Sequence, residues 1–253
     1  MRLAVVSPDN HVLPRWGNSF AREGIQGDIS KMETKLLNEE VTGQVQQIFT
    51  DLKEPVEMLF FSQKANCEYC DDTLQLIDEI ASLSDKIGLS VYDIDADLAI
   101  AQQYKVDKAP GIVIAGRDGD QILDYGVRFA GIPSGHEFSS LIHDLILVSG
   151  RDSGLSDETR QFLSQLDQPV LMQVFVTPTC PYCPRAVVLA HQMALESPMV
   201  EAEMVEAMEF PELSNRFGVS GVPQTTINSG AGTVVGAVPE DYLIAEIRQS
   251  FGK

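Results

Sequence analysis

Two Cys-x-x-Cys pairs, Cys67/Cys70 and Cys180/Cys183, each precede a proline by the same distance: Cys67 to Pro110 is 43 residues, and Cys180 to Pro223 is 43. The second trio is the first displaced by 113 positions. A single such pair is a common motif, but the repeat with its prolines says that one folding unit occurs twice. A chain of 253 residues accommodates two units of about 100–150 residues each. The resulting expectation is an irregular N-terminal extension over 1–29, a first unit over 30–150 and a second over 151–253.

Between the cysteines and prolines the apolar pattern repeats as well. Val56–Phe61 predicts a strand, followed by a helix from Cys67, a strand at Leu89–Ile94 and a short helix at Leu98–Tyr104. Pro110 then precedes a strand at Ile112–Ile114, a turn at Arg117-Asp118-Gly119-Asp120, a strand at Gln121–Tyr125 and a helix at Gly135–Val148. The second half repeats the order. It runs through a helix at Ser156–Leu166 with Ser156 as N-cap, a strand at Val170–Val176 and a helix at Cys183–Leu195. A strand at Met199–Val205 and a helix at Pro211–Phe217 lead to Pro223, then to strands at Thr225–Ile227 and Thr233–Val235 and a helix at Tyr242–Phe251. Ahead of both units, Met32 to Phe49 carry apolar residues at helical spacing within a predicted helix from Lys31 to about Leu52. Residues 1–29 have no steady periodicity, and Trp16 there reads as an anchor onto the body rather than part of a site.

This order is that of the thioredoxin fold, so the predicted class is α/β: two tandem units, each a central mixed β-sheet flanked by helices. A cysteine at the start of a helix after a strand meets unpaired N–H groups and the positive end of the helix dipole, which favour a thiolate. Lowering a thiol pKa from about 8.5 to about 7 raises its reactive fraction at neutral pH from a few per cent to about half. Cys180 is then the nucleophile and Cys183 the resolving thiol, with Cys67 and Cys70 in the same roles in the first unit. In Cys180-Pro181-Tyr182-Cys183 neither intervening residue adds charge and Arg185 lies nearby, whereas Glu68 places a negative charge between Cys67 and Cys70. The second pair is expected to dominate. The Ala109-Pro110 and Val222-Pro223 bonds are expected to be cis. Their backbone would then hold an extended substrate segment beside the cysteines.

Other features narrow the class. The formal charge of −19, divided as −12 over 1–150 and −7 over 151–253, opposes nucleic acid as a partner. No apolar run is long enough for a membrane span or a signal-peptide core, which predicts a soluble, cytoplasmic protein. No Gly-rich phosphate loop is present, and no cofactor is expected. His11, His136, His143 and His191 show no zinc-ligand spacing, and His191 reads as a partly packed helix residue. No acid stands six residues before either first cysteine, where Phe61 and Val174 lie. Two alternatives remain beside the enzyme: four thiolates holding one zinc ion without catalysis, or a binding or chaperone module with one inert pair. The 109-residue gap between the pairs disfavours zinc, since ribbon-like sites place them about 15–20 apart.

On Cys180-Pro181-Tyr182-Cys183 with Val222-Pro223, the parallel first set, and Gly126-Val127-Arg128-Phe129-Ala130-Gly131-Ile132-Pro133, the chain resembles the glutaredoxin-like protein disulfide oxidoreductases of bacteria and archaea. The resemblance covers about residue 31 to the end. The similar two-unit N-terminal part of flavoprotein peroxide-system reductases typically keeps only one pair. The resemblance implies dithiol–disulfide exchange on protein substrates and reduction by an NADPH-dependent, thioredoxin-reductase-like flavoprotein. It also implies a principal site at Cys180/Cys183 with an assisting one at Cys67/Cys70. The stretch Val235-Gly236-Ala237-Val238-Pro239-Glu240-Asp241 lacks the Gly-Gly pair of a glutaredoxin glutathione site.

Overall fold

The computed structural model describes residues 35–252. The expected extension over 1–29, with Trp16, lies outside them, as does the start of the predicted helix at Lys31. The described part of that helix, α1, is Glu39–Ile48. It starts later than expected because the Asn38 side chain accepts a hydrogen bond from the Val41 N–H and caps it.

The elements that follow are β1 (Val56–Ser62), α2 (Cys70–Ala81), β2 (Ile87–Asp93), α3 (Leu98–Gln103), β3 (Gly111–Asp118), β4 (Gln121–Ala130) and α4 (Glu137–Gly150). The second half comprises α5 (Asp157–Ser164), β5 (Val170–Val176), α6 (Cys183–Glu196), β6 (Val200–Glu206), α7 (Pro211–Arg216), β7 (Gln224–Ile227), β8 (Gly232–Val235) and α8 (Glu240–Ser250). The Ser156 side chain caps α5 by accepting from the Thr159 N–H, as its sequence position predicts. No described helix is long and apolar enough to cross a membrane.

All eight strands form one mixed sheet in the order β2-β1-β3-β4-β6-β5-β7-β8. The halves join where β4 and β6 run parallel, with Val127 opposite Ala202 and Ala130 opposite Val205. This pairing explains why β4 runs five residues past the predicted end at Tyr125. Its second half gains hydrogen-bonding partners from a strand that comes about 75 residues later in the chain, through contacts local periodicity does not encode. Arg128, buried within that stretch, donates to the Tyr104 carbonyl at 2.7 Å and pairs with Asp124 at 2.8 Å.

Strand alternation sorts the core into two faces. Val56, Met58 and Phe60 of β1, Met172 and Val174 of β5, and Ala202 and Met204 of β6 point into the larger core with α1, α2, α4, α5, α6 and α8. Their neighbours face the other way: Leu59 and Phe61 pack near α3, and Phe175 and Val205 near α7. Both cysteine-bearing helices, α2 and α6, therefore lie on one face.

Strand direction places the cysteines at one edge. β1 is antiparallel to β3, β3 to β4, and β4 parallel to β6 and so to β5, so β1 and β5 point the same way. The loops that leave them carry Cys67 and Cys180. β3 and β7 begin at this same edge, directly after Pro110 and Pro223.

Candidate functional site

The Cys67–Cys70 and Cys180–Cys183 pairs are each closed as a disulfide, with Cα atoms 5.5 Å apart. The first helix begins at its second cysteine, Cys70, rather than at Cys67, because the loop residues carry no helical hydrogen bonds until Thr73 N–H reaches the Tyr69 carbonyl at 2.9 Å. The second pair is arranged alike, with α6 opening at Cys183 and Pro184 in its first turn, where the missing N–H has no intrahelical use. Cys70, Cys180 and Cys183 are buried, and Cys67 is partly exposed.

Ala109-Pro110 and Val222-Pro223 are both cis peptides. Cys180 Sγ lies 3.7 Å from the Val222 carbonyl oxygen, which brings the residue before Pro223 up to the first cysteine of the second pair. Tyr182 is 64% exposed beside it, and the Cys180 N–H donates to the Thr177 carbonyl at 3.1 Å.

Four strand intervals separate β1 from β5, about 19 Å at the usual spacing. Thiolates on one zinc ion sit about 2.3 Å from it and hence about 4 Å from each other. The four-cysteine zinc alternative is thus corrected by the sheet order: the pairs are too far apart to share one ion.

The segment Gly131–His136 spans the ground between the sites. Its Gly131 N–H donates to the Pro110 carbonyl at 2.9 Å, its Ile132 N–H to Glu209 Oε1 at 2.7 Å, and its His136 N–H to the Pro178 carbonyl at 2.9 Å. Gly135 has φ +59°, and a Cβ there would lie 2.2 Å from the Pro178 oxygen, so only glycine fits against the second site's loop.

The sequence shows no carboxylate six residues before either first cysteine, but the other half of the chain buries one near the second pair's loop, where His136 N–H meets the Pro178 carbonyl. Glu137, at the start of α4, is 1% exposed. Its Oε2 accepts from the Ser140 hydroxyl at 2.6 Å, and its Oε1 is buried without a partner. Burial pushes its carboxyl up to about 7; Ser140 and His191 oppose the rise and Asp144 adds to it. α4 and α6 leave the same sheet edge side by side, and Asp144 meets His191. Glu137 lies two turns before that contact on α4, as Pro184 does on α6. His191 is fully buried rather than partly packed: Nδ1 is 2.6 Å from Asp144 Oδ2 and Nε2 is 3.1 Å from the Arg128 carbonyl oxygen. The available signal was the seven-residue spacing that puts Glu137 and Asp144 on one stripe of α4, beside the apolar Leu141, Leu145 and Val148.

Known proteins share this architecture. Residues 170–249 match the family model described as a thioredoxin domain. The crystal structure of a protein disulfide oxidoreductase from Aeropyrum pernix aligns with a TM-score of 0.78 at 31% identity over 85% of this chain and 94% of that one. The N-terminal domain of an alkylhydroperoxide reductase from Enterococcus faecalis aligns with a TM-score of 0.76 at 30% identity, over 83% of this chain and 99% of that one. Among curated proteins, an alkyl hydroperoxide reductase of Staphylococcus epidermidis is 27% identical over 72% of this chain and 32% of its own length. An NADH dehydrogenase of Bacillus subtilis is 27% identical over 62% of this chain and 28% of its own length. The chain thus spans about a third of the length of these curated relatives. With two Cys-x-x-Cys pairs in one sheet and structural relatives matched over most of its length, the chain belongs to the glutaredoxin-like protein disulfide oxidoreductase family of two tandem thioredoxin-fold units.

Proposed function

We propose that the chain carries out thiol–disulfide exchange on protein substrates, in the direction of reduction, oxidation or isomerisation according to the partner, chiefly through Cys180 and Cys183. The observation that carries this reading is the approach of Cys180 Sγ to within 3.7 Å of the Val222 carbonyl at the mouth of α6. A nucleophilic sulfur and a backbone edge able to hold an extended chain stand side by side there.

In the reducing direction the Cys180 thiolate attacks one sulfur of a substrate disulfide, forming a mixed disulfide and releasing one substrate thiolate. Cys183 gives up its proton and attacks Cys180 Sγ. The second substrate thiolate leaves, and the enzyme pair closes with two electrons transferred. Glu137, buried beside the first turn of α6 and with a carboxyl pushed up to about 7, is placed to take the Cys183 proton. Val222 and Pro223 supply the edge that aligns the substrate. Cys67, Cys70, Ala109 and Pro110 perform the same steps more weakly, because Glu68 opposes a second negative charge beside Cys67.

Electrons are returned by an NADPH-dependent, thioredoxin-reductase-like flavoprotein. The relatives named alkyl hydroperoxide reductase and NADH dehydrogenase are redox proteins by name and support a redox partner in general. The test is turnover of a disulfide peptide by the intact protein and by variants that keep only one pair, with such a flavoprotein and NADPH as the electron source. Turnover that survives loss of Cys67/Cys70 but not of Cys180/Cys183 is the expected result. Equal losses, or no turnover at all, would refute the assignment.

A further inference from the structure

The surroundings of the two pairs differ in charge far more than their cysteine spacing suggests. From Gln168 to Leu195 the chain contains no acidic residue, the first turn of α6 contributes the exposed cation Arg185, and the carboxyl that α4 brings toward this site, Glu137, is buried away from solvent and pushed up to about 7. The first site is the opposite. Glu68 lies exposed between its cysteines, and Asp71 and Asp72 are exposed in the first turn of α2. Lys64 in the preceding loop is the cation nearest them in sequence. Lys108, near Pro110, is already engaged by Glu203 at 3.0 Å and by Asp107.

The second half of the chain brings two further carboxyls near this site, of which Glu206, opposite Val176 of β5, borders the second site as well. Glu209, in the loop between β6 and α7, accepts from the Ile132 N–H, one residue beyond the Gly131 N–H that donates to the Pro110 carbonyl. Glu206, 4% exposed, accepts from the Glu209 N–H at 2.6 Å, while its Oε1 is buried with no hydrogen-bond partner. Both side chains crowd Gly131, where an added Cβ would lie 2.6 Å from the Glu206 Cβ and 2.8 Å from the Glu209 carboxylate Oε1. The Glu209 carboxyl is pushed up to about 7, by burial first and then by the charges of Glu206 and Glu68. Glu68 thus adds a small repulsion to Glu209, and a cation bound near both would relieve it.

We propose that the first pair is selective for disulfides flanked by lysine or arginine, whereas the second pair is comparatively indifferent to substrate charge. This rests on the exchange reaction proposed above and assigns its two sites different substrate classes. The chemistry is unchanged: the Cys67 thiolate attacks the cationic peptide's disulfide, and Cys70 displaces the second peptide thiolate, so two electrons pass from the enzyme dithiol to the peptide. Charge acts on encounter, raising the association rate of cationic peptides and lowering that of anionic ones.

The test uses full-length protein bearing only the first pair (Cys180→Ser with Cys183→Ser) or only the second (Cys67→Ser with Cys70→Ser), reduced beforehand and freed of reductant. Each is mixed with three disulfide peptides that differ only in flanking lysines, serines or glutamates. At low salt the cationic-to-anionic rate ratio should be about tenfold larger at the first pair than at the second, and the difference should shrink at about 0.5 M salt. Glu68→Gln with Asp71→Asn and Asp72→Asn, in the first-pair protein, should lower its ratio toward that of the second pair. Comparing the two pairs within one chain cancels the effect of the overall −19 charge. Equal ratios at both pairs, or a ratio unmoved by the triple substitution, would overturn the selectivity while leaving the exchange reading intact. Failure of both proteins to reduce even the serine peptide would instead overturn the exchange reading, and this inference with it.

Discussion

Asp144 Oδ2 lies 2.6 Å from His191 Nδ1 with both side chains fully buried, and this contact joins α4 of the first half to α6, the helix that begins at Cys183. The other ring nitrogen reaches the Arg128 carbonyl of β4. One imidazole therefore ties together two helices and a strand where the halves meet. Asp144→Ala strands a buried polar ring and removes half of that tie. Loss of about 2–4 kcal/mol of unfolding free energy is expected in urea titrations. A change below about 0.5 kcal/mol would mean that the pair contributes little to holding the helices together.

Glu137 gives stability a pH dependence of definite sign. Its folded pKa of about 7 lies above the ordinary 4.5, so the folded state holds this proton more tightly than the unfolded chain does. The stabilisation is complete below about pH 4.5 and is lost as pH rises to about 7, by up to about 3 kcal/mol. Glu137→Gln, which cannot ionise, should flatten that part of the profile and be more stable than the parent at pH 8. Parallel profiles for the two proteins would show that Glu137 is not the group responsible.

Gly135 is expected to be among the least replaceable glycines. Ala at this position needs φ near +59° and a Cβ 2.2 Å from the Pro178 oxygen, so the loop that precedes Cys180 must move. Gly135→Ala should cost more than about 1 kcal/mol and slow exchange at the second pair more than at the first, read in the single-pair proteins. Equal slowing at both would point to general destabilisation instead.

Lys108 and Glu203 tie the loop before Pro110 to β6, with Lys105 and Glu201 forming a second pair alongside. Burial works against the Lys108 ammonium, but Glu203 and Asp107 more than compensate and its pKa is raised. Glu203 also accepts from Gln173 at 2.8 Å. Glu203→Ala leaves Lys108 with its exposed partner Asp107 alone and should destabilise by about 3 kcal/mol. Lys108→Met with Glu203→Leu should recover most of that, and a double variant as weak as the single one would count against a desolvation origin.

Under the proposed ranking of the two pairs, replacing Cys180 by serine should lower disulfide turnover more than about tenfold, whereas Cys67→Ser should retain a substantial part. The readout is NADPH consumption coupled to a disulfide substrate. Similar losses in both variants would refute the ranking of the pairs.

Much of this architecture could be read along the chain. The 113-residue repeat and the change of apolar period between strands and helices are local properties, and β5 and the start of α6 lie where the pattern places them. Each depends on neighbours a few residues away, which is the range over which periodicity and capping act. The second half of β4 was not legible. Gly126 and Arg128 interrupt its apolar run, and the stretch is a strand because β3 and β6 pair with it on its two edges. Glu137 and Glu209 escaped for a related reason. Each carboxylate lies more than 40 residues from the cysteine helix whose charge it influences, and its environment is created by burial against the other half of the chain. Local order is written in neighbouring residues, but desolvation and cross-strand charge arise only when distant segments exclude water together, and so they belong to the folded molecule alone.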